Sequence, residues 1–325
     1  MRRNSASAEP ARSVTVRGVA GRFDGFVLSI DLEDWHQLVR RGAGSADWDV
    51  PHPAFERQVR VLLDFLAELD LKATFFVLGM CARNYPDIVA EIAARGHEVG
   101  SHGTAHARVH AQTRDEFRRD LEESVAQLER LTGRRPAGYR APAFSINRDT
   151  LWAYDVLSEL GFRYDSSQHD SPRIPRRIEG IPGDAYRLRL DSGREIWEFP
   201  IAVRRLGSRT LPIGGGGYWR VFPDRLLLRE LHALKRESTY PVLYFHPYEF
   251  DPEPLRAGLP RDAPPKQRLR AASRSLYRNP GRRRTMGQLA RVAREFPLVT
   301  YESVLGHDTL GDRGAKALSR GGAIV

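Results

Sequence analysis

His97-Glu98-Val99-Gly100-Ser101-His102-Gly103-Thr104-Ala105-His106 opens as a short strand and ends in a glycine-bearing loop that carries two histidines four positions apart. That spacing suits two ligands of one metal ion. Upstream, Phe26-Val27-Leu28-Ser29-Ile30 reads as a buried strand and runs into Asp31-Leu32-Glu33-Asp34-Trp35, placing three carboxylates at a strand end. Two imidazoles and one carboxylate are the protein ligands of a zinc ion that keeps a fourth position open for water.

Working outward from this stretch, strand and helix patterns alternate. Val59, Leu62, Leu63, Leu66 and Leu69 have helical spacing within 54–69, and Ala73 to Leu78 is a short apolar strand pattern closed by Gly79. A helix fits Pro86 to Arg95, with proline in its first turn and Gly96 as its stop. Further helices are expected near 113–131 and 148–160, with strands near Gly138–Arg140, Phe162–Tyr164 and Pro241–Phe245. Repeated strand-helix units predict an α/β fold with a parallel sheet and outer helices. The chemistry-bearing residues fall just past strand ends, on the face where a parallel barrel holds its active site.

The chain has 325 residues, 41% hydrophobic and 28% charged, enough for a large core. Its single cysteine, Cys81, excludes an internal disulfide and is expected in the core rather than as a nucleophile. No apolar run of signal-peptide or membrane-spanning length follows the N-terminal arginines, so a cytoplasmic protein is expected, with peripheral attachment at the inner membrane as a second option. The net charge of +10 comes largely from arginine, densely placed between Arg261 and Arg284. Such a run is either a solvated face or a contact for an anionic glycan or membrane surface; with few interleaved aromatics and no nucleic-acid motif, no nucleic-acid partner is expected. Gly214-Gly215-Gly216-Gly217-Tyr218-Trp219-Arg220 lacks the Lys-Ser/Thr of a P-loop and reads as a surface loop or as a carrier of Tyr218 and Trp219 to a sugar face.

Taken together, the ordered motifs from 26 to 250 resemble the polysaccharide deacetylases of carbohydrate esterase family 4. The resemblance implies a distorted parallel (β/α) barrel of about seven strands, with a C-terminal extension packed on it. The division expected is a flexible tail at 1–22, the barrel at 23–250, the extension at 200–306 overlapping the last barrel elements, and a second flexible tail at 307–325.

By that resemblance Asp31 is the catalytic base, and His102 and His106 are metal ligands with either Glu33 or Asp34 as the third. Arg140, in Tyr139-Arg140-Ala141-Pro142, orients the base; Ala143 supplies a backbone N–H to the oxyanion, and Tyr139 either lines the sugar groove or packs. Asp165, in Tyr164-Asp165-Ser166-Ser167, either orients the acid or caps a strand end. His246, in Leu243-Tyr244-Phe245-His246-Pro247-Tyr248-Glu249-Phe250, is the general acid.

The implied cofactor is Zn2+, with another divalent ion such as Co2+ able to satisfy the same ligands. The implied reaction is hydrolysis of the N-acetyl group of N-acetylhexosamine units in a bacterial polysaccharide or its precursor, with release of acetate. The Asp-x-Glu-Asp-Trp start and the stretch from His246 to Pro252 also resemble the branch encoded with bacterial exopolysaccharide and exosortase systems, which implies exopolysaccharide assembly machinery as a partner. Two other readings stand beside this one: an allantoinase-like cyclic amidase, whose relatives tend to lose the metal histidines, and a non-catalytic glycan-binding barrel, which has no use for a base, an orienter and an acid together.

Overall fold

The computed structural model of the protein describes residues 15–20, 23–170, 178, 181–207, 209–259, 262–306 and 311–317. Apart from a short parallel edge strand at Leu298–Val299, seven of the described strands run parallel, and their order around the sheet nearly follows the chain. They are β1 (Phe26–Leu32), β2 (Thr74–Val77), β3 (Glu98–Ser101), β4 (Gly138–Tyr139), β5 (Tyr164–Asp165), β6 (Glu195–Glu198) and β7 (Val242–Phe245), with β7 returning beside β1. A parallel bridge between Ile201 and Val242, reinforced by Ala202 N–H donating to Val242 O at 3.1 Å, links the chain beyond β6 to β7 and closes the ring. The expected parallel α/β barrel is therefore present.

Every residue of β1 is buried, as both faces of a parallel strand must be when side chains fill one side and helices cover the other. The principal helices are α1 (Trp35–Ala43), α2 (Ala54–Glu68), α3 (Pro86–Ala94), α4 (Arg114–Thr132), α5 (Trp152–Glu159), α6 (Asp224–Glu237), α7 (Pro265–Arg278) and α8 (Thr285–Glu295). Helix α2 turns Val59, Leu62, Leu63 and Leu66 inward. Helix α4 begins where Thr113 and Glu116 satisfy each other's backbone N–H groups and ends at Gly133, whose φ of 70° is readily adopted only without a side chain.

Two segments expected as tails contribute strands. Thr15–Ala20 pairs antiparallel with Tyr186–Arg189 and with Gly311–Ala317; the remaining residues of both expected tails, 1–14 and 318–325 among them, lie outside the described residues. Only Val16 of the first strand is anchored in the core among its described side chains, too little apolar periodicity to register as a strand. Tyr186–Arg189 is also the hairpin partner of β6, burying Tyr186 and Leu188 and leaving Arg189 exposed. Among the described residues no helix is long and apolar enough to cross a membrane.

The residues beyond 200 are woven into the barrel. They supply β7, and Leu298–Val299 adds to the edge of β1. Helix α7 lies against α1, its end fixed by Arg282, which donates to the carbonyls of Tyr248, Asp251 and Glu253, and by Asn279, which bonds Leu255 at both N and O. Gly214 and Gly216 serve close packing: a Cβ would meet Val242 O at 2.6 Å in the first case and the Phe245 ring at 2.1 Å in the second.

Candidate active site

Asp31 is the penultimate residue of β1, and Glu33 follows after a tight turn in which Glu33 N–H donates to Asp31 O. His102 follows β3, its N–H held by Val77 O at 3.0 Å. The loop beyond is pinned from two sides: Gly79 N–H donates to Gly103 O, and the Asp120 carboxylate on α4 accepts from Thr104 N–H. Gly103 and His106 both have positive φ, 74° and 55°. For histidine that conformation is unfavourable, and it brings the second ring back toward the first.

The outcome is a cluster centred on Glu33. Its Oε2 lies 3.1 Å from His106 Nε2 and 3.8 Å from His102 Nε2, and its Oε1 lies 3.3 Å from His246 Nε2. One donor atom from each of Glu33, His102 and His106 falls within 4.8 Å of the other two, a set able to hold one metal ion. His102 Nδ1 is 2.7 Å from Arg140 O, so Nδ1 carries a ring proton and Nε2 is the nitrogen turned to Glu33. Burial opposes ionisation of Glu33, but the imidazoles of His102, His106 and His246 hold its carboxyl well below the usual range. The donor set, two imidazoles and one carboxylate, fits a divalent ion of zinc type.

Of the two candidates for third ligand, Glu33 is the one whose oxygens lie among the histidines. Asp34 caps α1: its oxygens accept from His36 N–H at 2.9 Å, Tyr85 Oη at 2.8 Å and His52 N–H at 3.2 Å, with His36 Nδ1 at 3.1 Å. Burial would raise its pKa, but these partners hold it low. A carboxylate so occupied has no oxygen turned to the histidines.

Asp31 and Arg140 form a buried ion pair, Nη1 to Oδ1 at 2.6 Å. Arg140 is held from its other edges by Ser166 O, Ser166 Oγ and Tyr301 Oη, and its guanidinium lies 4.2 Å from the centre of the Phe76 ring. Tyr301 was not foreseen; it stands 161 positions away and carries no local motif. His246, immediately after β7, stacks on Tyr248 and has Glu249 Oε2 3.8 Å from Nδ1. Burial favours the neutral ring, but Glu249 and Glu33 raise its pKa. Glu249, three residues on in the same motif, is the carboxylate beside the proposed acid, a place sequence reasoning considered for Asp165.

Asp165 lies deeper, where its oxygens accept from Ser167 N–H and Oγ, and Ser167 Oγ accepts from Ala141 N–H. It thereby supports the turn carrying Ala143 instead of facing His246. Ala143 is exposed and left-handed, φ 54° and ψ 28°. Tyr139 is a core residue, 1% exposed and packed on Phe117 and Phe162. Trp219 is fully buried, its Nε1–H donating to Ile213 O and its ring edge-on to Phe245, so it cannot reach a sugar; Tyr218 is half-buried beside it.

Fold and site together define a parallel α/β barrel with a two-histidine, one-carboxylate centre, a buried Asp-Arg pair and a histidine converging at the C-terminal strand ends. Residues 49–164 match the family described as polysaccharide deacetylase, and residues 169–305 match a domain of unknown function, DUF3473. A peptidoglycan deacetylase of Helicobacter pylori is 33% identical over 222 residues, 68% of this chain and 69% of that protein. A peptidoglycan-N-acetylglucosamine deacetylase of Bacillus cereus is 38% identical over 93 residues, of which the chain spans 34% of the relative's length. A solved structure from Mycobacterium smegmatis, described as a polysaccharide deacetylase, has a TM-score of 0.52 at 23% identity, covering 86% of this chain and 94% of that one; this likeness is one of fold.

The chain belongs to the polysaccharide deacetylase family, carbohydrate esterase family 4. Asp31 and Glu33 precede the matched deacetylase segment, whereas His246, Glu249 and Tyr301 lie in the DUF3473 segment, so the site is assembled from all three.

Proposed function

We propose that the protein removes the N-acetyl group from N-acetylhexosamine units of a bacterial polysaccharide or its precursor, with a divalent ion, zinc by its donor set, held by Glu33, His102 and His106. The observation that carries this reading is the convergence of Glu33 on His102, His106 and His246, with the Asp31–Arg140 pair alongside. The named activities of the Helicobacter pylori and Bacillus cereus relatives support it. An exopolysaccharide or its lipid-linked precursor, rather than mature peptidoglycan, is the proposed polymer, supported by the resemblance of the Asp31 to Trp35 and His246 to Pro252 stretches to that branch.

When bound, the ion supplies Lewis acidity, polarising the amide carbonyl and making a water more acidic. Asp31 accepts the proton of the attacking water. Arg140 fixes one of its oxygens, which leaves the other for the proton. Left-handed Ala143 sets a backbone N–H for the developing oxyanion. His246, whose pKa is raised by Glu249 against the effect of burial, delivers a proton to the leaving nitrogen, since an amide anion is too basic to depart unaided. Acetate and a free amine result.

The test is acetate release from N-acetylglucosamine oligomers by chelated and then zinc-reconstituted protein, with Asp31→Asn alongside. Metal-dependent release that the variant lacks is expected; metal-independent release, or release undiminished in the variant, refutes the mechanism.

A further inference from the structure

Beside the metal-ligand cluster, a cleft of about 480 Å³ opens between α1 and α7. Glu33 forms one end of it, and the rings of Trp35 and Tyr248 form part of its lining. The opposing wall is basic: Arg270, Arg274 and Arg278 recur at intervals of four along α7, so they stand one above another on the face turned to the cleft. Arg278 lies 5.9 Å over the Tyr248 ring, which itself stacks on His246, so this wall is continuous with the proposed acid.

Among the described residues no carboxylate lies within ion-pair distance of any of these three arginines, although elsewhere on this surface arginines are paired, as Arg95 is with Asp64 and Glu91 and Arg284 with Asp224. Three like charges held on one helix face repel one another and are not needed to keep α7 in place. That is done by Arg282 and Asn279 just beyond its end and by Arg220, which donates to the carbonyls of Tyr277 and Arg278. A guanidinium presents its donors in a planar fork that fits the paired oxygens of a carboxylate or phosphate, and a wall of arginines attracts anions to its side of the cleft. A neutral glycan makes no comparable use of such a wall.

We propose that the α7 arginines form an anion subsite, and that the preferred substrate carries a carboxylate or phosphate on the glycan close to the N-acetylated sugar. This rests on the cleft being the glycan site of the function proposed above. The DUF3473 segment then sets substrate class as well as completing the barrel.

The test uses the full chain, metal-loaded and metal-stripped, with three probes: hyaluronan hexasaccharide, in which glucuronate alternates with N-acetylglucosamine; neutral chitohexaose; and UDP-N-acetylglucosamine against free N-acetylglucosamine. Calorimetry gives Kd for each probe, acetate release gives kcat/KM, and the variants are Arg270→Gln/Arg274→Gln and Arg270→Lys/Arg274→Lys. Both positions are exposed on the helix surface.

The expected result is binding of hyaluronan hexasaccharide or of the UDP-sugar at least fivefold tighter than its neutral counterpart at low salt. The double glutamine variant removes that preference, and the double lysine variant keeps most of it. Which probe shows the preference separates carboxylate from phosphate. No anionic preference, or one that survives the glutamine variant, overturns the subsite. Arginine-dependent binding to phosphatidylglycerol vesicles with none to any sugar probe also overturns it, in favour of a membrane face that would include exposed Leu269 and Leu276. The two proposals fail separately: arginine-dependent anion binding without acetate release from any probe keeps the subsite and removes the deacetylase, whereas acetate release from chitohexaose without anionic preference does the reverse.

Discussion

His246 Nδ1 faces Glu249 Oε2 at 3.8 Å, beyond hydrogen-bond length yet close enough for the carboxylate to stabilise the protonated ring. Burial disfavours the imidazolium, and Glu249 with Glu33 reverses that, so the pKa of His246 is raised. A group that must donate a proton loses its function as pH rises through its pKa. Glu249→Gln removes part of the raising charge, so the alkaline limb of kcat/KM for acetate release is expected to move to lower pH. A limb that stays in place would show that another group sets it.

The Asp31–Arg140 pair is buried on both sides, and Arg140 has Ser166 and Tyr301 on its remaining donors. Asp31→Asn keeps an acceptor for Arg140 and removes the base. Acetate release is expected to fall by about two orders of magnitude or more while metal content per chain is unchanged. Measuring both on the same preparation separates loss of the base from loss of the centre.

Glu33 and Asp34 are neighbours with different work. Glu33→Gln is expected to lower metal retention after dialysis, because its oxygens are the ones placed among His102, His106 and His246. Asp34→Asn is expected to retain metal and to lose roughly 1–3 kcal/mol of stability in urea denaturation, from a weakened helix cap and disturbed buried bonds to Tyr85 and His52. Metal loss in the second variant and not the first would reverse the assignment.

What could be read in advance followed from how local each signal is. His102, His106, Arg140 and His246 each follow a short apolar run, so strand and strand-end chemistry are contiguous in the chain. The preference for Glu33 over Asp34 rests on α1, whose cap engages Asp34; Trp35, Leu38, Val39 and Ala43 have the helical spacing that could have announced that helix. Tyr301 reaches Arg140 only because the chain beyond β7 returns to the edge of β1, a contact without a sequence-local trace. Trp219 shows the opposite error: an aromatic after glycines suggests a flexible sugar contact, but those glycines allow β7 to approach and bury the ring. Glu249 had a local signal, three residues after His246, that a search for a partner of the acid could have used.

A second carboxyl pair links stability to pH. Glu198 and Asp165 meet in the core, fully buried, with Tyr154 Oη and Gln168 N–H donating to Glu198 and Ser167 donating to Asp165. Burial and the adjacent Asp165 raise the Glu198 pKa well above the carboxylate range, so the folded protein keeps a proton on this pair that the unfolded chain releases. The folded state therefore binds more protons than the unfolded state from the ordinary glutamate pKa up to the raised one. Across that window stability falls as pH rises, by up to about 1.4 kcal/mol per pH unit, and below it the pair contributes no slope. Glu198→Gln holds a neutral donor toward Asp165 at every pH, so its unfolding free energy in urea should decline less steeply than that of the natural chain between mildly acidic and alkaline conditions. Parallel curves for the two proteins would mean that the pair is ionised in the fold and that the alkaline loss of stability arises elsewhere.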